Sequence, residues 1–231
     1  MPLTSAQIVG RACTIAHAPG YTQQGGYYLN LALRDLCLHR DLKLLRQAET
    51  ISVTAGVNGP FSLPANYLRT YDMFYTVNNF PYYMFPITQK DYDQLFKDPS
   101  IANYPYCYTT DLTATQVPGS QPALYIFPQT TTALSITHRY MIEMADISSP
   151  ESSADVPWFP DQEYLIIATA IQLMRETDDA RVESFEKRAT DMLRLHLIMD
   201  GDEQQTPHEI GLDPRRFRVN GKLRPIKLNP Y

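Results

Sequence analysis

The sequence holds little of what most enzymes and metalloproteins depend on. Its 231 residues include 1 Trp, 3 Cys and 5 His. Cys13, Cys37 and Cys107 stand far apart with no CxxC spacing. An odd count in that pattern argues against a disulfide framework and for a reducing compartment. None of His17, His39, His138, His196 and His208 falls into HxH, HExxH or HxxxH, so a zinc site would have to gather single ligands from distant segments. Cys37 and His39 are two apart on an expected helix and point to different faces, which argues against a nucleophile pair. No GxxxxGK[ST] or GxGxxG occurs, leaving no local phosphate cradle. Gly25-Gly26 opens a helix and lacks the preceding strand that a nucleotide loop requires. No stretch approaches the roughly 20 apolar residues of a membrane span. The opening MPLTSAQIVGRACTIAHAPG lacks the basic end, apolar run and cleavage site of a secretory signal. These absences lead us to expect a soluble protein made in the cytosol, with no cofactor.

What is present reads as globular: 44% hydrophobic and 19% charged residues. A chain of this length hides roughly 70% of its extended surface on folding. Two counts depart from the ordinary, 16 Tyr against 1 Trp and 18 Pro against 10 Gly. Tyr joins a large apolar ring to a polar tip and suits surfaces that are half buried, as interfaces are. The net charge of -5 is unevenly spread. Residues 213–231 carry six basic side chains against Asp213 alone, for +5, while residues 1–212 carry 14 basic and 24 acidic, for -10. An acidic body with a basic tail implies two surfaces with different partners.

Periodicity divides the chain into segments. Residues 1–48 read as helical: Thr4 or Ser5 caps a first helix with Ile8, Ala12, Ile15 and Ala16 on one face. A second helix starts near Thr22 and turns Leu29, Ala32, Leu33 and Leu36 inward, followed by Leu42 and Leu45. Gly25 and Gly26 weaken its first turn. Residues 49–150 change character, with short alternating runs (ETISVTAG, GPFSLP, YLRTYDMFYTV, YYMFPIT, YPYCYTT, PALYIFP, TALSITHRYM) separated by turn residues. They predict antiparallel sheet, with hairpin turns at Asn58-Gly59 and Asn78-Asn79. One short helix, TQKDYDQLF, is capped by Thr88, with Asp91 three residues on. Residues 151–200 return to helical spacing. Asp161 caps a helix bearing Tyr164, Ile167, Ala168, Ile171 and Met174. After a break at Thr177-Asp178, a last helix places Val182, Phe185, Ala189, Met192, His196 and Met199 on its stripe and stops at Gly201. The expected class is α+β: a bundle of N- and C-terminal helices with an inserted antiparallel β domain and an extended C-terminal arm over 201–231.

Two clusters compete for a functional reading. Glu176, Asp178, Asp179 and Glu183 could be imagined around a metal, but acids at a helix boundary have a simpler explanation in capping and the helix dipole. Thirteen aromatics fall between Tyr67 and Tyr108: Tyr67, Tyr71, Phe74, Tyr75, Phe80, Tyr82, Tyr83, Phe85, Tyr92, Phe96, Tyr104, Tyr106 and Tyr108. A stacking platform for sugars or single strands is one reading. Only Arg69, Lys90 and Lys97 accompany them, against Asp72, Asp91, Asp93 and Asp98, which favours core and subunit contact over nucleic acid. A carbohydrate-active enzyme with a Tyr-lined cleft would need paired carboxylates, for which Asp72, Asp91, Asp93 and Glu143 are the candidates.

Four segments together resemble a known family. They are ETISVTAGVNGPFSLPANYLR with Leu63-Pro64-x-x-Tyr67-Leu68, PITQKDYDQLF, PALYIFPQTTTALSITHRYM, and DVPWFPDQEYLIIATAIQLM. Their order and spacing over roughly residues 4–200 are similar to those of tailed-phage head-to-tail adaptor (connector) proteins. The resemblance implies a structural virion protein of the neck, with no enzymatic activity. It implies a ring, usually of twelve subunits, docked beneath the portal, with tail or nozzle proteins below and DNA passing through the lumen without specific binding. Another tail or baseplate component built from the same elements is the alternative. An acidic body suits a passive lumen, since it repels the phosphate backbone.

The arm lies beyond the resemblance. Arg215, Arg216, Arg218, Lys222, Arg224 and Lys227 alternate with Phe217, Val219, Leu223, Ile226, Leu228 and Tyr231. Apolar anchors spaced by cations suit docking on an acidic groove of the portal or an adjacent subunit. A solvated tail that only aids solubility is the other reading.

Overall fold

Thr4 begins the first helix with a reciprocal cap: its Oγ1 accepts from Gln7 N at 3.4 Å and its own N–H donates to Gln7 Oε1 at 3.1 Å. The computed structural model describes residues 2–95, 102–113 and 121–200. From that cap runs α1 (Ser5–Ile15), followed by α2 (Thr22–His39). The chain returns to helix at α4 (Gln162–Glu176), where Asp161 Oδ1 accepts from Tyr164 N at 3.0 Å, and ends in α5 (Val182–Asp200). Helix α4 is the hub, packing on α1, α2 and α5. Nine of its residues are buried, Leu165, Ala170 and Met174 completely, as befits a helix covered on most sides.

Gly25 and Gly26 weaken α2 for a packing reason. A Cβ on Gly25 would stand 2.9 Å from Val9 Cγ1 and 3.3 Å from Cys13 Sγ, so the glycine lets α2 close on α1. A Cβ on Gly26 would meet the Glu151 side chain at 2.9 Å. The segment leading into α4 is held down by Asn30, which bonds Ile147 through both its amide N (2.9 Å) and its amide O (3.1 Å). Leu42 and Leu45 are fully buried, though they lie past the end of α2 in a tight turn.

The α5 stripe departs from expectation. Ala189, Leu193 and Leu197 are its buried row, while Val182, Phe185, Met192 and His196 are only half-buried beside it. The row steps by four, and among the other helices α5 packs chiefly on α4, so Ala189 lies on the buried row as expected while Val182, Phe185, Met192 and His196 flank it. Gly201 lies outside the described residues.

Between the helices in sequence the described residues form eight strands, β1 (Arg46–Val53), β2 (Phe61–Ser62), β3 (Tyr67–Val77), β4 (Phe80–Tyr83), β5 (Phe85–Pro86), β6 (Cys107–Asp111), β7 (Ala123–Phe127) and β8 (Leu134–Ile142), with α3 (Gln89–Leu95) after β5. They form two four-stranded sheets, ordered β1-β8-β3-β4 and β2-β7-β6-β5. One apolar core is shared by both: Ile51, Met73, Tyr75 and Ile136 from the first, Leu124, Ile126 and Tyr108 from the second. The class is α+β as expected. Pairing is antiparallel except for β5 and β6, which run parallel. That exception follows from α3, because a parallel pair needs a long crossover between its strands.

The two Asn turns part company. Asn78 and Asn79 take φ of 51° and 66° and join β3 to β4 directly, with Val77 opposite Phe80, the two-residue turn that matches strand twist. Asn58-Gly59 makes no hairpin, since β1 pairs with β8 and β2 with β7. It carries the chain from one sheet to the other. Gly59, at φ 131°, passes so close to β7 that a Cβ would lie 2.8 Å from the Leu124 carbonyl.

Candidate interaction surfaces

The aromatic band divides by exposure. Tyr67, Tyr75, Tyr92 and Tyr108 are buried, Phe74 is half-buried, and Phe96 lies outside the described residues. Tyr71, Phe80, Tyr82, Tyr83, Phe85, Tyr104 and Tyr106 face solvent, with Phe80 at 68% and Phe85 at 66% of full exposure. Six of those seven lie on or beside β4 and β5, each the last strand of its sheet. All four residues of β4 are exposed, although the Tyr82 ring lies against Tyr75 and Tyr104 and the Tyr83 ring against Phe74. The rings are ordered all the same. Tyr75, Tyr82 and Tyr104 stack with centroids 5.7, 6.2 and 6.5 Å apart and planes within 15°. Tyr75 OH donates to the Pro105 carbonyl at 3.0 Å, anchoring the stack to the core.

Two properties define what this edge can meet. Residues 80–89 and 102–110 contain no Asp, Glu, Lys, Arg or His, so the surface is neutral. Pro81 in β4 and Pro86 in β5 remove backbone donors from both edges, a device that blocks strand addition. Its chemistry is therefore that of ring faces and edges.

A groove of mixed polar and apolar lining lies among the helices. It is open, has a volume of about 800 Å³ and runs between α2, α4 and α5. The buried Ile171, Leu193 and Leu197 form its floor, and Arg40, Arg175, Arg194, Asp35 and Glu186 line it, with Arg175 paired to Glu186 at 2.7 Å.

The polar candidates turn out to hold the fold together. His138 is completely buried. Its Nδ1 lies 2.9 Å from Glu49 Oε1 and its Nε2 3.0 Å from Thr70 Oγ1, which is 2.9 Å from Tyr67 OH. A carboxylate can only accept, so Nδ1–H donates to Glu49. Burial lowers the His138 pKa, with Glu49 pulling the other way. In the neutral ring Nε2 accepts from Thr70, which accepts in turn from Tyr67. Each member is satisfied. Sequence reasoning missed Glu49; the signal lay in register, since Glu49 stands directly opposite His138 once β1 is paired with β8.

Two of the acids at the α4–α5 boundary, Glu176 and Asp179, have partners within the fold. Glu176 accepts from Tyr28 OH, whose pKa is pushed up to about 12, mainly by that bond. Asp179 accepts from Arg181 Nε at 3.0 Å and from Arg181 N at 2.9 Å, bonds that hold its carboxyl down to about 2. The same guanidinium donates to the Ile15 carbonyl at 3.1 Å, tying the turn to α1. The carboxylates considered for a sugar cleft also have partners: Asp72 with Arg139 at 3.2 Å, Asp91 with Thr88, Asp93 with Gln89, and Glu143 with Arg34 at 3.8 Å. All three cysteines are free and buried, and burial raises Cys107 to about 11. Among the described residues no three His, Cys, Asp or Glu side chains gather as a metal site would require. No helix among them is long and apolar enough to cross a membrane. The arm residues Arg215, Arg216, Phe217, Arg218, Val219, Lys222, Leu223, Arg224, Ile226, Lys227, Leu228 and Tyr231 lie outside the described residues.

The family described as SU10 adaptor protein matches residues 3–211, and the chain belongs to that family. Membership makes it a structural adaptor of a bacteriophage, working among other head and tail proteins in the virion. No curated protein matches it.

Proposed function

We propose that this chain is the adaptor that joins the portal of a tailed-phage head to the tail. In this reading twelve copies form a ring around the DNA channel, in contact with the portal above and tail or nozzle proteins below. The bundle of residues 1–48 and 151–200 and the β insertion of residues 49–150 act as the body of each subunit, and residues 201–231 as an arm. The chain catalyses nothing and binds no cofactor. The observation that carries this reading is the family match across residues 3–211, which spans both helical ends and the whole β region. The neutral aromatic edge supports it, because a subunit with many neighbours needs apolar surface left uncovered by its own fold. The acidic body supports it too, since a channel wall of net charge -10 over residues 1–212 lets duplex DNA pass without sticking. Residues 213–231, at +5, then dock on the portal or an adjacent subunit and lock the ring.

Imaging of portal complexes mixed with the purified chain tests the role. A ring of added density beneath the portal is expected; portals that stay bare overturn it. The arm is tested by deleting residues 213–231. The truncated chain should keep its circular-dichroism spectrum and lose stable joining to the portal. Truncated protein that still completes DNA-retaining heads refutes the role of the arm.

A further inference from the structure

Tyr82 and Tyr104 differ from the other exposed rings in being held parallel. With Tyr75 they make three rings whose planes agree within 15° and whose centroids are all 6.5 Å or less apart. A continuous pile would set its outer rings two contact distances, at least about 7 Å, apart. The three are therefore not a pile. Tyr75 is 3% exposed, whereas Tyr82 is 50% and Tyr104 46% exposed. Tyr75 is thus the covered ring, and the other two lie side by side over it, parallel within 9°. Two half-exposed rings so arranged make a flat platform.

The platform is fixed before any ligand arrives. Tyr82 stands opposite Tyr75 across the β3–β4 pair. The segment bearing Tyr104 is tied down on both sides. Asn103 N donates to the Gln129 carbonyl at 2.9 Å, and Tyr106 N to the Phe127 carbonyl at 3.0 Å. Between them Tyr75 OH donates to the Pro105 carbonyl at 3.0 Å. Asn103 Oδ1 accepts from Tyr104 N at 2.8 Å, which holds the exposed amide beside the ring and leaves its NH2 group as a donor.

The lining selects the ligand. Nucleobases stack on such rings, but their phosphates call for cations, and residues 80–89 and 102–110 hold none. A neutral sugar needs none. The face of an aromatic ring is negative and attracts C–H groups. A pyranose whose substituents are all equatorial turns a C–H face to the rings and its hydroxyls to the rim. There the two phenols and the Asn103 amide can donate to them and accept from them. A β-1,4 linkage keeps successive pyranoses of this kind in a flat ribbon, which matches two parallel rings, whereas an α-1,4 chain curls away.

We propose that Tyr82 and Tyr104 form a binding platform for a neutral, flat β-1,4-linked oligosaccharide. This is a second function beside the adaptor role, and it does not depend on the ring. Phe80, Tyr83 and Phe85 stay available to neighbouring subunits.

Saturation-transfer difference NMR on the full chain tests this, with cellohexaose and chitohexaose as probes and maltohexaose as the curled control. Sugar at about 10 mM, tenfold above a millimolar Kd, registers even weak stacking. Transfer from aromatic protons to the pyranose C–H protons is expected for at least one flat probe, and far less for maltohexaose. Tyr82→Ala with Tyr104→Ala should weaken binding at least about tenfold, the scale of a lost stacking ring. Tyr83→Ala with Phe85→Ala should leave it unchanged. Circular dichroism checks that each variant folds, and Tyr104→Ala alone, outside any strand, serves if the double variant does not. Absence of transfer to both flat probes overturns the proposal. So does equal loss of binding in the two double variants, or maltohexaose that binds as well as the flat probes. Decaproline that gives a signal dependent on Tyr82 and Tyr104, where the sugars give none, would assign the platform to a proline-rich peptide instead.

Discussion

Gly10 and Gly25 make a controlled pair for testing the α1–α2 packing. Both sit inside helices, and replacing Gly by Ala in a helix interior gains about 1 kcal/mol of propensity. Around Gly10 nothing lies within 4 Å of a new Cβ, so Gly10→Ala should keep the whole gain. At Gly25 the new methyl would arrive 2.9 Å from Val9 Cγ1, 3.3 Å from Cys13 Sγ and 3.8 Å from Leu173 Cδ1. Val9 cannot turn aside, because a β-branched side chain in a helix is held in one χ1 well about 90% of the time. Helix α1 must shift instead, and overpacking of that kind costs about 1–3 kcal/mol. Gly25→Ala should therefore be neutral or destabilising by up to about 2 kcal/mol once the propensity gain is offset. For a chain of this size about 1 kcal/mol moves Tm by about 2–4 °C. Thermal unfolding followed at 222 nm should place Gly10→Ala above wild type and Gly25→Ala at or below it. Adding Val9→Ala to Gly25→Ala should recover part of the loss, a coupling that only contacting residues show. If Gly25→Ala stabilises as much as Gly10→Ala, the two helices do not approach as closely as described.

Phe159 is completely buried between Trp158, Tyr164 and His196, so Phe159→Ala should cost about 3–5 kcal/mol in urea unfolding. Phe185 is only half-buried, and its alanine variant should lose about half as much; a larger loss at Phe185 would refute the assigned α5 face. Burial holds the folded-state pKa of His138 below its ordinary 6.5, so on acidification the unfolded chain binds the proton first. Stability should be full above about pH 6.5 and fall as pH drops below it, and a His138→Gln variant whose Tm follows the same curve between pH 7 and 5 would contradict this. A truncation to residues 1–212, with net charge -10, should fail to shift duplex DNA at physiological salt, whereas micromolar binding would end the passive-lumen reading.

Features set by neighbours in sequence were legible; features set by distant pairing were not. Thr4, Thr88 and Asp161 each cap a helix with a group three residues away, and that spacing is visible in the chain itself. Asn78-Asn79 and Asn58-Gly59 look alike as local turn signals, yet one closes a hairpin and the other crosses between sheets. The difference lies in β8 and β7, roughly 60 to 95 residues beyond their partners, which capture β1 and β2. Glu49 stayed invisible for the same reason, since its role depends on standing opposite His138. The α5 stripe slipped because two adjacent rows both read as apolar, and only the position of α4 decides which is buried.

The aromatic band joins both kinds of information. Its density was plain in the sequence, and period two along β3 separates buried Met73 and Tyr75 from outward Phe74. What period two cannot say is that all four residues of β4 stay exposed, because that depends on where the sheet ends. An exposed phenylalanine inside a sheet would be an oddity; six exposed rings gather here around two proline-blunted edges. Pro81 and Pro86 would be poor choices in strands that needed pairing. In strands that must refuse a further strand while keeping their rings in the open, they are the residues backbone chemistry requires. The prolines and the rings thus act together: the edge presents side chains outward and lacks backbone donors at Pro81 and Pro86.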